Sequence, residues 1–169
     1  MNSAKTLYSI LNIIMFLLLG AIGLGIFVLA LMLFGVKQDF IGLKYDALVF
    51  KTKATLYVFT FLELVVYVAF VVALWKLRKA TKLLLKKDFY NNELIIEMFT
   101  SGQLMVLSSV ALWFIDEIGN MFYKRQITLG LSEKTLVYLL IIAIGLFLML
   151  FSTVLRDTKA IKEENDLTI

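Results

Sequence analysis

The sequence contains no cysteine, no histidine and no proline. Without cysteine the chain has no disulfide, no thiolate nucleophile and no thiol redox chemistry. Without histidine it lacks the usual proton shuttle and the commonest metal ligand. Without proline no helix carries the break found in many transporters. We therefore expect no enzymatic activity, no cofactor and no metal site.

Charged residues are scarce, at 18% of the chain, whereas 61% of the 169 residues are hydrophobic. Soluble domains are roughly 45–50% apolar and about 25% charged. Most of the apolar residues lie in four blocks almost free of charge, at about 8–36, 54–75, 94–115 and 135–155. At about 1.5 Å per residue, each block is long enough to cross the roughly 30 Å hydrocarbon core of a bilayer. The composition predicts an all-α integral membrane protein with a single membrane domain over 1–169.

Short connections make successive helices antiparallel and predict an up-down-up-down four-helix bundle. The expected helices are 8–36, 54–75 with an extension to about 87, 91–118 and 133–160. Ten lysines and arginines lie at the end that holds both termini and the 76–93 connection, and seven lie at the other end. Because cytoplasmic segments carry the excess of these residues, we expect a multi-pass protein with both termini in the cytoplasm. The connections 37–53 and 116–134 would then face outward.

The densest charge lies in the connection between the second and third helices. We interpret this basic segment first as a topology determinant that contacts anionic lipid of the inner leaflet. The functional alternative is a docking surface for an acidic or nucleic-acid-bound protein. Direct nucleic-acid binding is not expected, because no recognition helix accompanies the charge. The cations of the basic segment are Lys76, Arg78, Lys79, Lys82, Lys86 and Lys87.

Polar side chains interrupt the second and third apolar blocks. Glu63 lies in the second helix, where an isolated carboxylate is costly, and Gln103 lies in the third helix at a similar predicted depth. A Glu63–Gln103 hydrogen bond would satisfy both groups and fix the helix register. The alternative is a small proton- or cation-coupled transporter that uses Glu63. Glu97, near the start of the third helix, is expected to be solvated or to form a salt bridge at the interface, within reach of Lys87 or Arg78.

Small residues favour close contacts between the predicted helices. Ala21 and Gly25 have the small-xxx-small spacing of associating membrane helices. Packing within the bundle is the expected use of this pair, and homodimerisation through it is an open alternative. A second set gives the third helix a slim face: Ser101, Gly102, Ser108 and Ser109.

The chain ends in a charged tail with an apolar tip, AIKEENDLTI. A frayed, solvated terminus and a docking peptide captured through its carboxylate are the two interpretations. The ending, of the form Glu-x-Asp-Leu-Thr-hydrophobic, resembles that of the bacterial membrane family known as domain-of-unknown-function family 2975. The stretch KDFYNNELI, with Phe89 and Asn92, resembles the same family's entry to its third helix. The tail residues that match are Glu164, Asp166, Leu167, Thr168 and Ile169.

The resemblance implies a four-helix protein of the bacterial cytoplasmic (inner) membrane. Genes of this family commonly lie beside a gene for a small helix-turn-helix regulator of the Cro/CI type. The leading hypothesis is therefore a non-enzymatic, membrane-anchored regulatory protein. Its cytoplasmic face, made of segment 76–93 and tail 156–169, would bind such a transcription regulator. The chain departs from the family pattern in having no proline in its outer loops. A third alternative is a holin- or toxin-like protein that perturbs the membrane.

Overall fold

The computed structural model describes residues 2–34, 53–86, 89–124 and 133–166. These residues form four α-helices and no strand, which confirms the predicted all-α class. Each helix contains a segment long and apolar enough to cross a membrane, as predicted. The helices are α1 Asn2–Leu33, α2 Lys53–Leu85, α3 Asn92–Lys124 and α4 Glu133–Asp166.

The helices extend further into the polar segments than predicted. α1 begins at Asn2 rather than at about 8, α3 continues to Lys124 rather than 118, and α4 continues to Asp166 rather than 160. The predicted bounds follow the apolar blocks, whereas polar residues with good helix propensity, such as the run 159–164, continue a helix equally well. Some predicted features lie outside the described residues: the end of α1 at 36, Lys87, tail residues 167–169 and most of the outer connections.

α3 begins at a capped turn. The side-chain Oδ1 of Asn91 accepts a hydrogen bond from the backbone N–H of Glu93 at 2.8 Å. The backbone carbonyl of Asn91 accepts another from the N–H of Ile95 at 3.2 Å. Asparagine at this position satisfies a backbone N–H that the first helical turn leaves unpaired. The cap therefore fixes the point at which the connection from α2 becomes α3.

Contacts between successive helices run in opposite directions along the two helices, as in an antiparallel pair. Ser101 of α3 contacts Ala73 of α2, whereas Glu93, about two turns earlier on α3, contacts Lys79, further along α2. The antiparallel order is therefore confirmed, and it places the start of α1, the α2–α3 connection and the end of α4 together. We call this the basal end and the opposite one the apical end. The remaining pairs show the same order: Tyr8 with Arg78, Gly25 with Leu64, Ile95 with Ser152 and Gly102 with Gly145.

The bundle is open. Helix packing joins α1 to α2, α2 to α3 and α3 to α4, and no interface of comparable size closes α1 against α4 in the described parts of the chain. Buried positions are concentrated on α2 and α3, whereas α1 and α4 bury a single stripe each. The remaining faces of α1 and α4 are apolar and exposed, as expected of surfaces that contact lipid acyl chains.

Glycine and serine let α3 approach both of its neighbours. A Cβ on Gly102 would lie 2.5 Å from the carbonyl oxygen of Gly145, and a Cβ on Gly145 would lie 2.8 Å from that of Gly102. On the other side of α3, the buried hydroxyl of Ser101 donates to the carbonyl oxygen of Ala73 at 2.8 Å. The slim face predicted for α3 therefore packs within the bundle.

Gly25 of α1 also marks a close contact within the chain. A Cβ at Gly25 would lie 3.0 Å from Cδ1 of Leu64 on α2, whereas Ala21, one turn earlier, is exposed. The expected packing within the bundle is therefore observed for Gly25. Because Gly25 already faces α2, the two residues do not present one common free surface to a second copy.

Candidate interaction surface

Two helices bring opposite charges together at the basal end. The amines of Lys76 and Lys79 lie 2.9 and 2.8 Å from separate oxygens of the Glu97 carboxylate. Lys79 also lies 2.7 Å from Glu93. The two lysines are one turn apart on α2, as are the two glutamates on α3, so the four side chains meet across the interface. Glu97 is only 7% exposed, and two cations compensate for its burial. We call these four residues the charged cluster.

Glu97 forms a salt bridge, one of the two states expected for it, but Arg78 is not its partner. The Arg78 guanidinium lies over the Tyr8 ring, 5.5 Å from its centroid, and Nη2 donates to the Tyr8 hydroxyl at 3.4 Å. The buried Arg78 Nε has no hydrogen-bond partner within the described residues. Successive residues of a helix point about 100° apart, so Arg78 faces α1 while Lys79 faces α3. Lys87, the other predicted partner, lies outside the described residues.

The part of α4 beyond its apolar block packs against the turn that precedes α3 and against the first residue of α3. The Lys159 amine donates to the side-chain Oδ1 of Asn92 at 2.7 Å. The Lys162 amine lies 4.8 Å from the centroid of the Tyr90 ring, within the range of a cation–π interaction. The stretch KDFYNNELI and the charged tail, which the sequence separates by some 70 residues, therefore meet at the basal end.

The basic segment serves two purposes. Lys76, Arg78 and Lys79 contact neighbouring helices, whereas Lys82 and Lys86 are exposed. The exposed end of α4 adds charges of both signs beside them. We call the following residues the basal surface: Lys82, Lys86, Arg156, Asp157, Glu163 and Glu164. Of the predicted tail residues, Asp166 ends α4, and Leu167, Thr168 and Ile169 lie outside the described residues.

The helix register excludes the predicted Glu63–Gln103 hydrogen bond. Ser101 lies against Ala73, so Glu63, ten residues before Ala73, is level with about residue 111 of α3. Gln103 is instead level with about residue 71, so the two side chains are roughly 12 Å apart along the helix axis. Gln103 is exposed and Glu63 is half-buried. The prediction is wrong because it measures depth from the outer ends of the apolar blocks, whereas the short connection at 86–91 sets the register.

A buried carboxylate that the apolar pattern does not reveal lies toward the apical end. Asp116 of α3 is 7% exposed, and the Tyr138 hydroxyl of α4 donates to its Oδ2 at 2.5 Å. An ionisable side chain among membrane helices is costly unless it faces other helices and finds a partner, and Asp116 does both. The position of Asp116 in the sequence does indicate such a contact. Asp116 directly follows the third apolar block, and Tyr138 lies near the start of the fourth.

A half-open pocket of about 190 Å³ lies between α3 and α4 toward the basal end. Its wall is mostly apolar, with Ile96 and Phe99 from α3 and the exposed Arg156 from α4. Glu63, the ionisable group of the transporter alternative, is not among its lining residues. This pocket therefore gives that alternative no support.

Comparison with known proteins found no matching family model, no matching curated protein and no matching solved structure. The resemblance to domain-of-unknown-function family 2975 therefore stays a prediction. It rests on the tail and on the KDFYNNELI stretch.

Proposed function

We propose that this chain is a non-enzymatic, membrane-anchored regulatory protein of the bacterial inner membrane. Its basal surface would face the cytoplasm and bind a small helix-turn-helix transcription regulator. The observation that carries the proposal is that polar contacts tie every pair of neighbouring helices together at the basal end. Tyr8–Arg78 joins α1 to α2, the charged cluster joins α2 to α3, and Asn92–Lys159 joins α3 to α4.

These contacts favour recognition because they leave a preformed surface of exposed charges. The cations that hold the helices together are not those of the basal surface, so binding need not break the bundle. A surface that is ordered before binding loses less conformational entropy on association. Its charges are of both signs, which suits a complementary protein surface better than the uniformly negative backbone of a nucleic acid.

The proposed orientation has a direct test, because the chain lacks cysteine. Lys86→Cys reports the basal end, and Glu133→Cys reports the apical end; both positions are exposed. With an impermeant maleimide, we expect Glu133→Cys to react in intact cells and Lys86→Cys to react only after permeabilisation. The reverse pattern would place the basal surface outside the cell and remove the basis for a cytoplasmic partner.

Regulator binding is tested by charge reversal on the basal surface. We expect Lys82→Glu/Lys86→Glu to reduce co-purification of a Cro/CI-type regulator encoded beside the gene. Lys134→Glu, an exposed charge reversal at the apical end, is the matched control and should leave recovery unchanged. Deletion of residues 163–169 tests the tail separately. Recovery that survives both the double reversal and the deletion would rule out the proposed binding surface.

The transporter alternative depends on Glu63, and the geometry favours it less. The α3–α4 pocket does not include Glu63 among its lining residues. The two proposals make opposite predictions for Glu63→Gln. A regulatory protein would keep its partner, whereas a transporter would lose proton- or cation-coupled flux in vesicles.

A further inference from the structure

Gln103 places a primary amide on the exposed side of α3, within a candidate membrane span. The span runs Asn92–Gly119, so Gln103 is about 16 Å from the nearer end. An amide carries two N–H donors and a carbonyl acceptor, and hydrocarbon offers none of them a partner. The exposed side chains at a similar level on the other helices are apolar, as at Phe16, Val72 and Ile144.

Gln103 belongs to a stripe whose residues are spaced alternately four and three apart. At about 100° per residue, they lie within about 40° of a single line along α3. The residues through which α3 contacts α2 (Glu97 and Ser101) and α4 (Ile95 and Gly102) lie on the other faces. Alternating spacing of this kind is the pattern of a seam between two helices that pack along their length. The α3 stripe consists of Ile96, Thr100, Gln103, Leu107, Val110 and Phe114.

The stripe is apolar apart from two residues, and only one of them needs an outside partner. The hydroxyl of Thr100 donates to the carbonyl oxygen of Ile96 in its own helix, as threonine commonly does in helices. Ile96, Leu107 and Phe114 are exposed at 61%, 67% and 56%. Gln103 is therefore an amide in the middle of a large exposed apolar surface.

We propose that a second copy of this chain packs against the α3 stripe. The two α3 helices would be parallel, related by a two-fold axis normal to the membrane. Such an axis places Gln103 opposite the same residue of the second copy, at the same depth. Each amide then donates an N–H to the carbonyl oxygen of the other, so the two groups satisfy one another. A polar residue at one position of an apolar seam also fixes the register and the number of helices that associate.

The identity of the partner on the α3 stripe follows from the amide, because two amides can satisfy each other's hydrogen-bonding groups. Lipid acyl chains cover apolar side chains well but have no hydrogen-bonding group at this depth. A different protein would need a matching polar group at the same level. A second copy supplies that group without any further assumption. The interface is distinct from the Ala21–Gly25 alternative, because it lies on α3 and not on α1.

Disulfide trapping maps the interface in native membranes, because a single introduced cysteine can pair only between chains. We expect full-length protein carrying Ile96→Cys, Leu107→Cys or Phe114→Cys to form dimers of twice the monomer mass on mild oxidation. Matched controls carry cysteine at exposed positions on the other helices and should form few dimers. The controls are Phe16→Cys, Ala21→Cys, Val72→Cys and Leu146→Cys.

Gln103→Leu tests the amide itself. Leucine replaces the amide by an apolar side chain of similar size at an exposed position, so we expect the fold to be retained, which circular dichroism checks. We expect dimerisation in lipid, measured by energy transfer between labelled copies on dilution, to weaken about three- to thirtyfold. Gln103→Asn keeps the amide and should retain more of the association than Gln103→Leu.

Four results would overturn the proposal. Cross-links at the α1, α2 or α4 positions as strong as those on α3 would place the contact elsewhere. A protein that stays monomeric at every lipid dilution would mean that lipid alone covers the stripe. Cross-linked adducts of a mass other than twice the monomer would mean that a different protein binds there. Unchanged association in Gln103→Leu would remove the role of the amide.

Discussion

Gly102 of α3 and Gly145 of α4 lie so close that neither position has room for a side chain. A Cβ on either residue would come within 2.5 or 2.8 Å of the other's carbonyl oxygen. Between membrane helices, where the surrounding lipid is as apolar as leucine, association depends on close packing and on hydrogen bonds. The glycine pair therefore contributes to stability because the missing side chains let the backbones of α3 and α4 approach closely.

Replacing either glycine of this pair should separate α3 from α4. We expect Gly102→Leu or Gly145→Leu to lower the free energy of unfolding by about 1–3 kcal/mol, because backbone would have to move. Unfolding of the purified protein by a denaturing detergent measures the loss. Gly20→Leu and Gly23→Leu are matched controls, since a Cβ at either position meets nothing within 4 Å. Equal losses in the controls would mean that the close approach is not what stabilises the bundle.

Neutralising the centre of the charged cluster should destabilise the basal end. Glu97→Gln leaves the amines of Lys76 and Lys79 facing each other without the carboxylate between them. We expect a loss of unfolding free energy clearly larger than that of Glu163→Gln, which removes an exposed carboxylate that pairs with Lys159 of the same helix. The swap Lys76→Glu/Glu97→Lys should recover part of the loss. A swap no better than Glu97→Gln would argue that shape, not charge, holds this site.

The hydrogen bond between Tyr138 and Asp116 should contribute measurably to α3–α4 packing. We expect Tyr138→Phe to cost about 0.6–2 kcal/mol, the range found for polar contacts between membrane helices. Tyr67→Phe, at an exposed tyrosine of α2, is the control and should be near neutral. In a double-mutant cycle with Asp116→Asn the two effects should fail to add. Full additivity would show that the two side chains are not coupled.

The contacts of the α4 extension should keep its last turns folded. We expect Asn92→Ala/Tyr90→Ala to accelerate amide hydrogen exchange over residues 157–165. In this double variant Lys159 and Lys162 lose their partners at or just before the start of α3. Local opening of a helix end has a low free energy and responds to single contacts. Lys86→Ala, an exposed change at the same end, should leave the exchange rates as they are. If the double variant exchanges no faster, the helix is ordered by its own propensity.

The number and type of the helices could be predicted from the sequence because a bilayer imposes a simple length rule. A span needs about 20 apolar residues, and the four blocks satisfy it. The ends of the helices could not be predicted in the same way. The apolar pattern stops at the edge of the hydrocarbon, whereas a helix continues as long as residues such as those at 159–164 favour it.

Pairing between helices depends on register, which hydropathy does not contain. Glu63 and Gln103 have similar depths only when depth is measured from the outer ends of the blocks. Measured from the short α2–α3 connection, Gln103 is eleven residues away from the start of α3, and Glu63 is 22 residues away from the end of α2. The same measurement places Lys79 opposite the first two turns of α3, so the charged cluster was within reach of sequence reasoning.

The open order of the helices has a consequence for synthesis. In the described structure the helices pack mainly on their neighbours in the sequence, and chains fold from the N-terminus as they leave the ribosome. If the spans enter a bilayer in this order, each one would find the preceding helix already present, and no interface among the described residues depends on α4 packing against α1. A nascent chain halted after α3 would hold two finished interfaces and would lack only the packing of α4 along the face of α3 that includes Gly102.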